Sequence, residues 1–351
     1  MSKRKLTRQQ RWRVEKIQTE RTQRAQTKES KAQQALDAGH LGGVSNGLIT
    51  AHFGRQVEVE ATDSKDKSAS PLRQRCHVRA NVETLVTGDR VTWRPALDPD
   101  AEGVVEARQA RTSLLARPDM RGVMKAIAAN VDQLMLVVAP EPEPFANLID
   151  RYLVAAEDAG LKPVLVINKW DLIQQADISA VIQQRLDNFL NLYRDLGYAV
   201  ITTSTQGADQ LSELKQQLSG QISVFVGQSG VGKSSLINQL LPGVDLRVGS
   251  LSEDTRKGRH TTTTARLFHF PEGGQLIDSP GIREFALGWL EPEALAWGFR
   301  EFRPFLGRCR FRDCSHQQEP GCALLQAVEA GQITQQRFES FLHLRTSLQD
   351  T

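Results

Sequence analysis

Residues 223–236, Ser-Val-Phe-Val-Gly-Gln-Ser-Gly-Val-Gly-Lys-Ser-Ser-Leu, constrain this chain more than any other stretch. The apolar run Val224, Phe225, Val226 reads as a buried strand that enters Gly227-Gln228-Ser229-Gly230-Val231-Gly232-Lys233-Ser234, and residues 235–241 read as a helix. Strand, glycine-rich turn and helix in that order make a phosphate-binding loop. Backbone N–H groups at a helix N-terminus must wrap the phosphate oxygens, and glycines permit the close approach and the dihedrals this requires. Lys233 then brings charge to the β- and γ-phosphates, and the Ser234 hydroxyl brings a ligand to Mg²⁺.

A second motif names the base. Asn168-Lys169-Trp170-Asp171 directly follows the apolar run 164–167. A carboxylate at Asp171 can accept both the ring N–H and the exocyclic amino group of guanine, an arrangement adenine does not offer. Asn168 can meet the acceptors of the base, and the stem of Lys169 can lie along the ring. Ser204, at the end of the apolar run 199–203, is placed to present a backbone N–H to guanine O6. The pair of motifs therefore selects GTP over ATP.

Asp278-Ser-Pro-Gly281, also after an apolar run and 45 residues beyond Lys233, offers a carboxylate to the Mg²⁺ shell and, at Gly281, an N–H that senses the γ-phosphate. Between the two lies Gly-Arg-His-Thr-Thr-Thr-Thr at 258–264, in which Thr262 is the favoured Mg²⁺ ligand and Thr261 and Thr263 are alternatives. The expected GTP contacts are thus Gly227, Gln228, Ser229, Gly230, Val231, Gly232, Lys233, Ser234 and Ser235, with Asn168, Lys169, Asp171, Ser204, Thr262, Asp278 and Gly281. Mg²⁺ would sit on Ser234, Thr262 and Asp278. Ile282 stands where Ras-like proteins place the glutamine that orients water, so His260 becomes the candidate catalytic group beside Lys233. A histidine there could equally contact a partner.

The motif order is unusual, because the guanine motif and Ser204 precede the phosphate loop. A sheet does not record where its chain begins, so joined termini and new ends elsewhere give a circularly permuted domain. The runs at 134–139, 163–168, 199–204, 223–226, 265–270 and 275–278, alternating with helical stretches at 147–160, 178–197 and 210–218, read as a parallel sheet covered on both faces. Ahead of it, alternating runs at 47–50, 56–61, 72–80, 89–93 and 103–107 are five short strands of a small closed barrel, of oligonucleotide-binding (OB) or SH3-like type. Arg73, Arg75, His77 and Arg79 alternate along one of them as a possible basic face for RNA.

Cys309-x₄-Cys314-x-His316-x₅-Cys322 places three thiols and an imidazole within fourteen residues, a set suited to one closed tetrahedral structural Zn²⁺. Helices are expected at 323–329 and 334–348. The domain expectation is a basic, mobile arm (1–39), an OB-type barrel (40–117), a permuted α/β GTPase domain (118–288) and a helical zinc-binding domain (289–351).

Charge is uneven. Residues 1–31 carry eleven Lys or Arg against three Glu, a net +8, which leaves the remainder at −5 within the overall +3. A basic arm on an acidic body suits a polyanion such as RNA, although a solvated tail has the same composition. With no signal segment and no apolar run of membrane length, a cytoplasmic protein without a membrane partner is expected.

A small barrel, a guanine motif ahead of the phosphate loop and a Cys₃His spacing behind it resemble the circularly permuted, small-subunit-dependent bacterial GTPases of the RsgA/YjeQ family. The resemblance spans about residues 39–348. It implies binding of GTP and GDP, binding to the 30S ribosomal subunit and its 16S rRNA as a monomer, slow hydrolysis stimulated by that subunit, and a checkpoint late in 30S maturation. A signalling GTPase with a protein partner, or an RNA scaffold with negligible turnover, are the alternatives from other classes.

Overall fold

The computed structural model describes residues 40–54, 56–63, 71–118, 123–174, 180–206, 208–242, 244, 265–278 and 292–349. The basic arm, the segment carrying His260 and Thr262, and Gly281 lie outside the described residues. The chain divides into two compact units, Met1–Arg111 and Thr112–Thr351.

In the first unit, β1 (Ser45–Phe53), β2 (Gln56–Ala61), β3 (Arg73–Val78), β4 (Arg90–Arg94) and β5 (Gly103–Arg108) follow the alternating runs of the sequence. The pairing runs β1-β2-β3-β5-β4 and β4 returns to β1, which closes the barrel. Only β3 and β5 pair in parallel, so the closed five-stranded barrel is OB-like. Inward positions such as Val57 and Val59, two apart as a strand requires, meet Ile49, Cys76, Val91, Trp93 and Val105 in its core. The indole of Trp93 donates to the Asn46 carbonyl at 3.2 Å, so its burial leaves no polar atom unsatisfied. Burial pushes the Cys76 thiol up to about 12, as suits a packing cysteine.

The basic residues in and just after β3 are largely matched by nearby acids. Arg73 Nε bonds Glu60 at 2.7 Å, Arg79 bonds Glu106 at 3.2 Å, and His77 pairs with Glu102. Arg75 lies instead over Phe53, 4.9 Å from the ring centroid. The strand is a charge ladder more than a bare basic face.

The second unit opens with an antiparallel hairpin of β6 (Leu114–Pro118) and β7 (Met124–Ala129). Its main sheet contains β8 (Gln133–Val138), β9 (Lys162–Ile167), β10 (Ala199–Thr202), β11 (Ile222–Val226), β12 (Arg266–His269) and β13 (Gln275–Asp278), in the order β10-β9-β8-β11-β13-β12. The first five strands of that order are parallel. β12 departs from the all-parallel expectation and runs antiparallel to β13, because the intervening 270–274 turn is far too short for a crossover. Every residue of β8 is buried, as a strand covered on both faces must be.

Helices α1 (Ala146–Asp158), α2 (Asp171–Gln174), α3 (Ala180–Asp195), α4 (Ser212–Leu218) and α5 (Lys233–Leu240) connect the strands, and α6 (Pro292–Gly298), α7 (Ala323–Glu329) and α8 (Gln335–Gln349) follow them. α1 packs on β8 and β9 and also meets α6 and α8, which is why Ile149, Asp150 and all of 152–156 are buried. Phe299, Phe302, Phe338 and Phe341 stack into the C-terminal core, with centroids of the first two 4.8 Å apart. A buried ion cluster joins this core to α1: Arg337 bonds Asp150, and its Nε meets Glu301 at 2.6 Å. The Tyr193 hydroxyl donates to Asp150 at 2.7 Å. Among the described residues no helix is long and apolar enough to cross a membrane.

Candidate functional site

The motifs converge because parallel strands end on one edge. Asn168 follows β9, Ser204 follows β10, Gly227 follows β11, and Asp278 ends β13. Carboxyl ends of neighbouring parallel strands are where such sheets bind ligands.

The phosphate loop has the backbone its glycines predict. Gly227 sits at φ 137°, where an added Cβ would strike the carbonyl of Val137 on the adjacent β8. Gly232, at φ 86°, forms the N-cap of α5 and approaches the Asn168 amide so closely that a Cβ would collide with it. Only glycine satisfies both the positive φ and the space. The first amides of α5, at Lys233, Ser234 and Ser235, stand at this helix N-terminus. The Lys233 ammonium bonds the carbonyls of Gly227 at 2.7 Å and Gln228 at 2.5 Å, which folds it back over the loop.

The guanine motif is bolted to that loop. Asn168 Nδ2 donates to the Val231 carbonyl at 2.9 Å, and its Oδ1 lies 3.4 Å from the Thr203 hydroxyl. Asn168 is buried, so these bonds meet its polar needs and tie the 168–171 turn to the 227–234 loop. Lys169 takes a left-handed backbone (φ 58°), and its ammonium bonds the Glu141 carbonyl at 2.9 Å. The Ser204 hydroxyl donates to Asp171 and accepts the Gln206 N–H at 3.0 Å, setting the orientation of the carboxylate.

Sequence reading missed one neighbour of the site. The 139–145 segment between β8 and α1 runs beside the phosphate loop, where Gln228 Nε2 donates to the Glu143 carbonyl at 3.3 Å. Pro142 lies against Gly230. Its cluster of prolines is the signal that such a rigid wall would leave.

Cys309, Cys314, His316 and Cys322 bring their ligand atoms within 4.8 Å of one another. Cys309 Sγ lies 4.0 Å from Cys322 Sγ and 3.5 Å from His316 Nδ1, which in turn is 3.4 Å from Cys322 Sγ. Thiolates at tetrahedral Zn–S distances stand about 3.8 Å apart, so the donor set fits one zinc ion. Burial, reinforced by the neighbouring thiols, pushes the Cys314 thiol up to about 12, so metal binding would have to displace its proton. Glu319 braces the loop by accepting the N–H groups of Ser315, Gln317 and Gln318 at 2.6, 2.9 and 3.1 Å. The Ser315 hydroxyl adds a further bond, and together they hold the Glu319 carboxyl down to about 2.

A family model described as RsgA GTPase matches residues 108–288. The chain belongs to the RsgA GTPase family. Its RsgA relatives extend the match to the whole chain: the protein of Ectopseudomonas mendocina, named "Small ribosomal subunit biogenesis GTPase RsgA", is 57% identical over 348 residues, 99% of this chain and 98% of that one. The like-named protein of Chromohalobacter salexigens is 59% identical over 344 residues, 98% of each chain. Among solved structures, YjeQ from Thermotoga maritima is similar with a TM-score of 0.71 at 34% identity, covering 88% of this chain and 100% of that one. YloQ, titled a circularly permuted GTPase, has a TM-score of 0.68 at 29% identity, covering 89% of this chain and 97% of its own. An OB-like barrel, a circularly permuted GTPase domain and a C-terminal Cys₃His cluster compatible with zinc therefore make up this RsgA-family GTPase.

Proposed function

We propose that this GTPase acts on the 30S ribosomal subunit as a late maturation checkpoint, with 16S rRNA as its ligand and hydrolysis stimulated by the subunit. The observation that carries the nucleotide chemistry is the Asn168–Val231 bond, which ties a guanine-selective motif to the phosphate loop in a single site. The ribosomal assignment is supported by relatives named for small-subunit biogenesis that match nearly the full chain.

In this reading Asp171, Asn168, Lys169 and Ser204 hold the base, while the amides of 227–235 and Lys233 hold the phosphates. Ser234, Thr262 and Asp278 would hold Mg²⁺, which supplies positive charge against the β- and γ-phosphates. Gly281 senses the γ-phosphate and His260 positions water. The 1–39 arm, a barrel through 117, a GTPase domain through 288 and the zinc-binding remainder work in a monomeric cytoplasmic protein. Co-sedimentation tests the partner: with a non-hydrolysable GTP analogue the protein is expected to pellet with 30S particles and with GDP to stay free, whereas equal pelleting with 50S particles overturns the assignment.

Zn²⁺ is the proposed structural metal on Cys309, Cys314, His316 and Cys322. Purified protein is expected to hold one equivalent by elemental analysis, and Cys314→Ala to lose it together with about 3 kcal/mol or more of stability, since structural zinc contributes folding energy directly. Metal-free wild-type protein of unchanged stability would refute the site.

A further inference from the structure

The five residues Arg308-Cys309-Arg310-Phe311-Arg312 combine features that the nucleotide site and the zinc cluster leave unused. Arg308, Arg310, Phe311 and Arg312 are all exposed, and Phe311 leaves 43% of its surface in water. Three nearby arginines of this unit find acids: Arg300 and Arg303 share Glu157 at 2.6 and 2.7 Å, and Arg337 takes Asp150 and Glu301. Arg308, Arg310 and Arg312 have no carboxylate partner among the described residues, and Glu319 nearby is committed to the turn it braces. Asp313 is the one acid in the loop, which remains net cationic.

The patch is also held in shape. Cys309 and Cys314 bracket it as candidate metal ligands, and the Arg310 N–H donates to the Gly321 carbonyl at 3.0 Å. The Arg310 stem lies across Gly321, where a Cβ would meet it at 3.0 Å, and its guanidinium stands 5.5 Å from the Phe311 centroid. An exposed ring beside guanidinium groups is a platform for an unpaired base with its phosphates; an acidic peptide would use the charges and leave the ring idle.

We propose that Phe311, flanked by Arg308, Arg310 and Arg312, stacks an unpaired RNA base while the arginines hold the adjoining phosphates. This rests on the reading of RNA as partner and specifies its form there: single-stranded or looped-out, not duplex. The zinc-loaded full-length protein is tested by fluorescence anisotropy with a labelled single-stranded RNA and with the same strand in a duplex. Phe311→Ala is expected to weaken single-strand binding about 5- to 100-fold and leave duplex binding unchanged, with Phe311→Trp restoring it. Arg310→Gln with Arg312→Gln is expected to flatten the slope of log affinity against log salt by about 1.4. Zinc content and basal hydrolysis are controls for folding and should stay at wild-type values. Unchanged single-strand binding by Phe311→Ala, equal loss on both RNA forms, or displacement of the RNA by polyglutamate as readily as by unlabelled RNA each overturns the platform. If the platform fails while 30S particles still stimulate hydrolysis, the functional reading stands; absent stimulation in the wild type removes that reading instead.

Discussion

Asp171→Asn is expected to lower GTP affinity by about two to four orders of magnitude and to raise affinity for xanthosine triphosphate. Guanine offers a ring N–H and an amino group on one edge, and a carboxylate accepts both in charge-assisted bonds of about 1.5–3 kcal/mol each. The Ser204 hydroxyl already donates to one Asp171 oxygen. An asparagine would keep its carbonyl toward Ser204 and turn its NH₂ toward the base, where it faces the guanine amino group donor to donor. Xanthine carries a carbonyl at that position and turns the conflict into a bond. Equilibrium binding of fluorescent GTP and XTP measures the switch. A variant that still prefers GTP as the wild type does would remove Asp171 from base recognition.

Arg337→Ala is expected to cost about 3–5 kcal/mol, because it leaves acids buried without their cation. Arg337 and Asp150 are 1% and 0% exposed, and the guanidinium also lies 4.4 Å over Phe299. Burial alone would lower the Arg337 pKa, but Asp150 and Glu301 outweigh it and hold the group cationic. Burial raises the Asp150 carboxyl, with Arg337 pulling it the other way. Each partner therefore depends on the other. Urea unfolding should give a smaller loss for Arg337→Met in an Asp150→Asn background than in the wild type, the sign of direct coupling. Strict additivity would mean that the two charges do not sense one another. Because Asp150 lies on α1 and Arg337 on α8, the variant should also speed hydrogen exchange along 335–349 more than in the barrel.

The sequence made these two sites unequally visible. Asp171 belongs to a motif whose residues are consecutive and whose strand precedes it, so local pattern suffices. Arg337 sits in a helix with other polar residues and reads as solvated; its partner Asp150 is 187 positions away, a pairing no single-sequence pattern encodes. The barrel was legible for the same reason as Asp171, since Val57 and Val59 alternate with glutamates in a period of two. The hairpin of β6 and β7 carries no such signal, because Met124-Lys-Ala-Ile-Ala-Ala129 is rich in residues that strands disfavour. The β3 cations were visible, but their acids on β2 and β5 became neighbours only through register: Glu60 stands opposite Arg73. The Cys₃His cluster was readable from spacing, whereas the Glu319 brace depends on turn geometry that spacing does not specify.

The most direct test of the central claim is steady-state hydrolysis of GTP and ATP by the purified protein, alone and with 30S, 50S or 70S particles. The account predicts slow turnover of GTP alone, strong stimulation by 30S particles, and no comparable effect on ATP. A GTP rate that is the same with and without 30S particles would contradict it.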